Sequence, residues 1–162
     1  TYKMSHLVNE RTRAHSTIDN ANENWLDMKG AWISYALVVT FFHLVLLSMP
    51  FFDTATVWTL TNVFHNLANY LMLHHLKGAP FETYDQGQSR RLTHWEQIDK
   101  GEMFTATRKF LTLAPIIVFV LASHYSKYDY THFVINFLAL SLALIPKFPE
   151  FYKFRLFGIN KY

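Results

Sequence analysis

The chain has 162 residues, of which 51% are hydrophobic and 17% charged, and its formal net charge is +3. This length fits a single domain, and the small charged fraction is typical of proteins in a lipid environment. The chain contains no cysteine, which excludes disulfides, thiolate metal sites and cysteine nucleophiles. The basic residues flank apolar blocks and do not cluster in a nucleic-acid-binding motif, so nucleic acid is not an expected partner.

The first 29 residues are polar and rich in asparagine, with too little apolar surface to fold alone. We expect residues 1–29 to form a mobile cytoplasmic regulatory segment, followed by a membrane domain at 30–149 and a cytoplasmic tail at 150–162. Within the first segment, Arg13 precedes Ser16 and Thr17 at a spacing that basophilic kinases use. Both hydroxyls are therefore candidate phosphorylation sites, where phosphate would add about −2 charge.

Four blocks without Asp, Glu, Lys or Arg follow, at residues 31–52, 54–76, 110–126 and 130–146. A helix that crosses a bilayer needs about 20 mainly apolar residues, and each block falls in the usual range. The first block is apolar nearly all round, which is typical of a lipid-spanning helix and not of an amphipathic one. The sequence therefore predicts an all-α membrane protein with four transmembrane helices; a soluble four-helix bundle is the alternative.

The distribution of basic residues predicts the orientation of these helices. Of the 15 Lys and Arg residues, all but Lys127 lie before the first block, in the loop 77–109 or after the fourth block. By the positive-inside rule, both termini and the loop 77–109 are expected in the cytoplasm. Pro115 lies inside the third block, where it predicts a kink and freed backbone groups that neighbouring residues must satisfy.

The loop 77–109 contains Thr93 and Glu96 at the spacing of a capping box, which predicts a short helix running to Gly101. Leu92, Trp95 and Ile98 would share roughly one face of this helix. We expect a surface helix that lies on the bilayer or on a partner. An ordinary solvated turn is the alternative.

The second block carries Asn62, Asn66 and Asn69 on one helix face, with His65 beside them. A polar stripe at membrane depth must turn away from lipid. One interpretation is hydrogen bonding between helices, with His43 or Asn136 as partners. The other is a face that binds a lipid headgroup or another subunit.

The nine histidines invite comparison with membrane-embedded lipid hydroxylases, which gather imidazoles at HxxxH and HxxHH spacings. Neither spacing occurs here. In the expected topology His74, His75 and His94 lie on one side of the membrane and His124 and His132 on the other, so we expect no metal site. Glycine-rich phosphate loops and nucleophile elbows are also absent from the sequence, so the chain is not expected to be an enzyme.

A series of motifs runs in order from about residue 20 to the end. It includes Trp58-Thr-Leu-Thr-Asn62, Lys77-Gly-Ala-Pro-Phe-Glu-Thr83, Leu92-Thr-His-Trp-Glu-Gln-Ile-Asp99, Lys127-Tyr-Asp129, Ile145-Pro-Lys147 and Phe157-Gly-Ile-Asn-Lys-Tyr162. Together these motifs resemble the ORMDL (Orm) family of endoplasmic-reticulum membrane proteins. The resemblance implies four spans with cytoplasmic ends, which agrees with the expectation from charge.

The resemblance also implies a function. Family members are non-enzymatic subunits, without cofactor, that bind the large and small subunits of serine palmitoyltransferase and restrain the enzyme when ceramide accumulates. An asparagine of their N-terminal Asn-x-Asn motif contacts ceramide, and that motif aligns with Asn20-Ala-Asn22. Asn22, with Asn20, is therefore the expected ceramide site.

Two departures from the family pattern bear on this expectation. Animal members usually have proline where this chain has Ala21, and the long N-terminal extension is more similar to the fungal branch, in which tail serines are phosphorylated. The alternative to a lipid-sensing regulator is a structural assembly subunit of a membrane complex. A histidine-dependent lipid hydroxylase is a third and less favoured alternative, because the histidine spacings that such enzymes need do not occur in this sequence.

Overall fold

The computed structural model describes Met28, residues 30–78 and residues 90–154. Within these residues the chain is all-helical, as predicted, with five α-helices and no β-strand. The helices are α1 Ala31–Leu47, α2 Thr54–Tyr70, α3 His94–Gln97, α4 Ala106–Tyr125 and α5 Tyr130–Leu144. A π-helical turn at Leu71–His75 extends α2, and 3-10 turns at Ile145–Lys147 and Pro149–Phe151 follow α5.

Two of the helical segments are long and apolar enough to cross a membrane: Ala106–Tyr125, and Tyr130–Lys147, which is α5 with its following turn. The shorter α1 has 17 residues and is almost equally apolar on all sides. Helix α2 is less apolar because its inner face carries threonine and asparagine side chains.

Helix α2 lies at the centre of the bundle, where it packs against α1, α4 and α5. A sharp turn in which Lys127 and Tyr128 adopt positive φ angles of 54° and 57° joins α4 to α5. Asp129 then begins α5, because its carboxylate accepts the Thr131 N–H at 3.0 Å and the His132 N–H at 3.2 Å. Such a cap satisfies backbone donors that have no partner within the helix.

The segment around α3 agrees with the sequence in one respect and differs in another. The capping box is confirmed, since the Thr93 N–H donates to the Glu96 carboxylate at 2.8 Å. The expected position on the surface is wrong. Trp95 and Ile98 are buried in the core, where they form a cluster with Leu73 and Leu111.

The reason for this burial is Arg108, near the start of α4. Its guanidinium is itself buried and donates to the backbone oxygens of Trp95 at 2.8 Å and Ile98 at 3.2 Å. It also lies 4.7 Å from the centre of the Trp95 ring, which is the geometry of a cation–π contact. The α-helix ends at Gln97, because the 3-10 turn that follows contains Asp99 and Lys100 in the left-handed conformation. The chain thus folds back onto the bundle instead of continuing across its surface.

Candidate functional site: a groove lined by a polar network

The asparagine stripe of α2 is buried and joins α2 to α5. The side-chain amide of Asn62 donates to the Asn136 side-chain oxygen at 2.9 Å, and the amide of Asn66 donates to the Asn62 side-chain oxygen at 2.8 Å. Asn136 in turn donates to the Thr59 hydroxyl at 3.3 Å. These asparagines have no solvent-accessible surface, so each amide depends on its protein partners.

A second polar network is offset by three residues along α2, just under one helical turn. The Tyr35 hydroxyl lies 2.6 Å from Nε2 of His65 and accepts the side-chain N–H of Asn69 at 2.9 Å. The side-chain oxygen of Asn69 accepts from Nζ of Lys147 at 3.2 Å. The network therefore connects α1, α2 and the turn that follows α5.

Lys147 also supplies a hydrogen-bond donor that the backbone of α4 lacks. Pro115 has no N–H, so the carbonyl of Leu111, four residues earlier, has no helical donor. Nζ of Lys147 donates to this carbonyl at 2.7 Å. The Lys147 side chain is buried at a position that the sequence placed at the end of a span, where a lysine normally extends toward water. The freed carbonyl that Pro115 predicted is thus satisfied by a residue of the neighbouring helix.

A groove of about 950 Å³ opens between α1 and α2, beside this second network. Its walls are apolar, and its polar groups come from a small number of side chains. The apolar residues are Met28, Ala31, Val38, Val39, Phe42, Phe64, Ala68, Met72, Leu73 and Leu111, and the polar ones are Ser34, Tyr35, His65, Asn69 and His94. Apolar walls with a few placed polar groups are typical of a site for a small apolar or amphiphilic molecule.

His94 closes one end of the groove from α3. Burial lowers the pKa of His94 to about 4, so the imidazole is neutral at pH 7. Trp32 and Tyr35 of α1 pack on Phe110 of α4 at the same end, with ring centres 4.6 and 5.4 Å apart. The start of α1 is therefore held against the bundle at the end of the groove that Met28 lines.

The structure brings together some of the predicted site residues and leaves others undescribed. Asn62 and Asn66 lie in the first network and His65 and Asn69 in the second. His43, an expected partner of the stripe, lies instead 2.9 Å from the Thr61 hydroxyl. The expected ceramide residues Asn20 and Asn22 and the candidate phosphorylation sites Ser16 and Thr17 lie outside the described residues.

Sequence reasoning missed Tyr35 and Lys147 as members of this site. Both lie near the ends of predicted spans, Tyr35 in the first block and Lys147 directly after the fourth, where aromatic and basic side chains commonly face the membrane surface. The signal for Lys147 was Pro115, because a proline inside a helix requires a donor from elsewhere. Across the part of the chain that the structure describes, no three His, Asp or Glu side chains lie close enough together to hold a metal ion.

The profile of the ORMDL family matches residues 20–155 of this sequence. The chain belongs to the ORMDL family. Among its relatives, ORM1-like protein 2 of Mus musculus is 55% identical over 149 residues, which cover 92% of this chain and 97% of the relative. ORM1-like protein 2 of Homo sapiens is 54% identical and ORM1-like protein 1 of Danio rerio 55% identical over the same shares. The profile match of this ORMDL protein begins at Asn20 and includes Asn22.

Proposed function

We propose that this ORMDL protein is a non-catalytic subunit of the endoplasmic-reticulum membrane that binds serine palmitoyltransferase and restrains it when ceramide accumulates. The observation that carries the proposal is the family match over residues 20–155, which includes the Asn20-Ala-Asn22 motif. The product of the regulated pathway would thereby limit the first enzyme that makes it.

The groove supports a lipid ligand. Its walls offer an apolar surface for acyl chains, and it begins at Met28, six residues after Asn22. Six residues of chain reach at most about 20 Å. That reach would allow Asn22 to hydrogen-bond the amide and hydroxyls of a ceramide whose chains occupy the groove. Binding would order the N-terminal segment across the enzyme's substrate entrance, because a ligand favours the conformation that it contacts best.

A membrane location with four spans is part of the same proposal. Helix α1 exposes Ile33, Leu37, Phe41 and Leu44 in one stripe, a surface that lipid covers far more favourably than water. Its 17 residues rise about 26 Å, close to the hydrocarbon thickness of a bilayer. The basic residues then favour both termini in the cytoplasm. Protease accessibility in sealed vesicles tests this topology, and cleavage of the two ends from opposite faces would contradict it.

The decisive experiment is a ceramide titration of purified serine palmitoyltransferase reconstituted with and without this chain. We expect ceramide to inhibit only the complex that contains the chain, and Asn22→Ala to abolish that response. Asn24→Ala is the matched control, because it removes an amide two residues away but outside the motif. If the chain stabilises the complex and ceramide leaves its activity unchanged, the chain is an assembly subunit and the proposal is wrong.

The groove is tested separately by filling it. Val38 lines the groove and its neighbour Leu37 does not, although both side chains are exposed. We expect Val38→Trp to raise the ceramide concentration needed for inhibition, and Leu37→Trp to leave it unchanged. Both variants should still co-purify with the enzyme. Equal responses of the two variants would place the ligand elsewhere.

A further inference from the structure

In the segment after α5 a lysine is buried and three phenylalanines are exposed. In a segment bathed by water, lysine faces outward and phenylalanine inward. Here the Lys147 side chain is 6% exposed, whereas Phe148, Phe151 and Phe154 are 53%, 39% and 58% exposed. The Tyr152 ring turns inward as well, so that its hydroxyl lies 3.4 Å from the backbone oxygen of Glu96.

The exposed phenylalanines continue the apolar outer face of α5. On that helix and the turn after it, Ile135, Leu138, Leu142 and Ile145 are all exposed. They recur every three or four residues, which is the spacing of one helix face. Phe148, Phe151 and Phe154 follow the helix end in 3-10 turns and extended backbone, and they are exposed as well. Exposed apolar side chains therefore continue beyond the end of the span.

Two further features lie at the same end of the bundle. Phe104, just before α4, is 80% exposed. It belongs to this end because Arg108 of α4 lies 5.6 Å from the Tyr152 ring and Lys147 bonds to Leu111. Lys153 lies within the exposed segment, and Lys109 is exposed on the first turn of α4. Glu150 and Glu102, two residues before Phe104, are exposed too, so the apolar rings and not a net positive charge carry the attraction to the boundary between acyl chains and headgroups.

We propose that Phe104, Phe148, Phe151 and Phe154 form an interfacial shelf that is inserted into the cytoplasmic leaflet. The residues 150–154 then belong to the membrane domain and not to a solvated tail. The inner side of this segment is fixed by Lys147 and Tyr152. The shelf thus attaches the α3 segment, which Arg108 and Tyr152 contact, to the membrane surface at a constant depth.

The inference rests on the proposed membrane topology, and the absence of cysteine allows both to be tested together. The single variants Phe148→Cys, Phe151→Cys and Phe154→Cys of the full chain are spin-labelled in nanodiscs of phosphatidylcholine and phosphatidylserine. Each variant keeps the other two phenylalanines, and its thermal unfolding is compared with that of the parent chain. Collision rates of the label with oxygen, which concentrates in lipid, and with a water-soluble nickel chelate measure its depth.

We expect labels at the three phenylalanine positions to collide more with oxygen than with the nickel chelate. A label at Glu150, which is exposed within the same segment, should show the reverse. A label at Ile135, in the middle of the outer face of α5, is the lipid control. Nickel access at the phenylalanine positions equal to that at Glu150, with Ile135 still in lipid, would overturn the shelf alone.

Two other outcomes are also decisive. Nickel access at Ile135 as well would overturn both the topology and the shelf. If the phenylalanine labels lose nickel access only after serine palmitoyltransferase is added, the surface binds protein and the lipid shelf is refuted.

Discussion

The contact between Lys147 and the backbone of α4 can be tested by its coupling free energy with Pro115. The sign of this coupling does not depend on the free energy of burying the Lys147 ammonium. Lys147→Met removes the donor to the Leu111 carbonyl. With Pro115 in place, this buried carbonyl is left without a partner, which costs about 1–3 kcal/mol. Removing the ammonium also returns its desolvation free energy, which can offset that loss. The single variant is therefore uninformative by itself.

A double-mutant cycle with Pro115→Ala isolates the contact. The Pro115→Ala substitution restores the backbone N–H that proline lacks, so Lys147→Met would then no longer orphan the Leu111 carbonyl. The desolvation contribution is the same in both backgrounds and cancels. We expect Lys147→Met to be more destabilising in the parent chain than in the Pro115→Ala chain by about 1–2 kcal/mol.

The assay is reversible unfolding in mixed micelles, followed by circular dichroism. Lys109→Met is the matched control, because it removes an exposed lysine of α4 and should show no coupling to position 115. Additive effects of Lys147→Met and Pro115→Ala would refute the reasoning.

Three further predictions concern the buried networks and the turn after α3, and each is read from unfolding in the same micelles. Asn62→Leu should lower the free energy of unfolding by about 1–2 kcal/mol, because it leaves the Asn136 side-chain oxygen without its donor. The double variant with Asn136→Leu should lose less stability than the two single variants added together. Gly101→Ala should lower the free energy of unfolding by about 1–3 kcal/mol, because the Gly101 φ angle is 87° and the new methyl would lie 2.7 Å from the Tyr152 hydroxyl. Adding Tyr152→Phe should restore part of the lost stability, because it removes that hydroxyl. Stability should fall as the pH drops from about 6.5 toward 4, because the unfolded chain binds a proton at His94 that the folded chain, with its lowered pKa, does not; His94→Gln should remove that part of the fall.

These predictions fail in distinct ways. Equal stability of the Asn62→Leu chain and the parent would mean that the amide pair contributes nothing. Full tolerance of Gly101→Ala would mean that the turn can relax around Tyr152. An unchanged pH profile in His94→Gln would assign the loss of stability to other groups.

Part of the fold could be predicted from the sequence because long runs without charged residues mark its helices. The apolar blocks placed the helices, and their ends shifted for local reasons. Helix α1 ends at Leu47, before the end of its block at residue 52, because Pro50 and the residues around it form turns. Helix α4 begins at Ala106, before its block at residue 110, because Arg108 and Lys109 limit burial in lipid but do not prevent helix formation.

The rest depended on contacts between residues far apart in the chain. Lys147 meets Asn69, 78 residues earlier, and Arg108 holds Trp95 from the start of a different helix. Neither pairing has a local signature, and both cations were counted as charges that face the cytoplasm. The position of a basic residue near a span end therefore indicates the orientation of the chain in the membrane. It does not show whether that side chain is buried or exposed. The groove could not be predicted either, because it depends on the distance between α1 and α2.

The described residues on either side of the segment 79–89 pair with each other. Lys77 pairs with Thr93 as an isolated antiparallel bridge, and the Gly78 N–H donates to the Leu92 oxygen at 2.9 Å. Lengthening a closed loop is inexpensive, at about 0.6 kcal/mol for each doubling. We therefore expect an epitope or a fluorescent reporter inserted between these anchors to have little effect on the stability of α2 and α4. This makes the segment an internal labelling position that leaves both chain ends native.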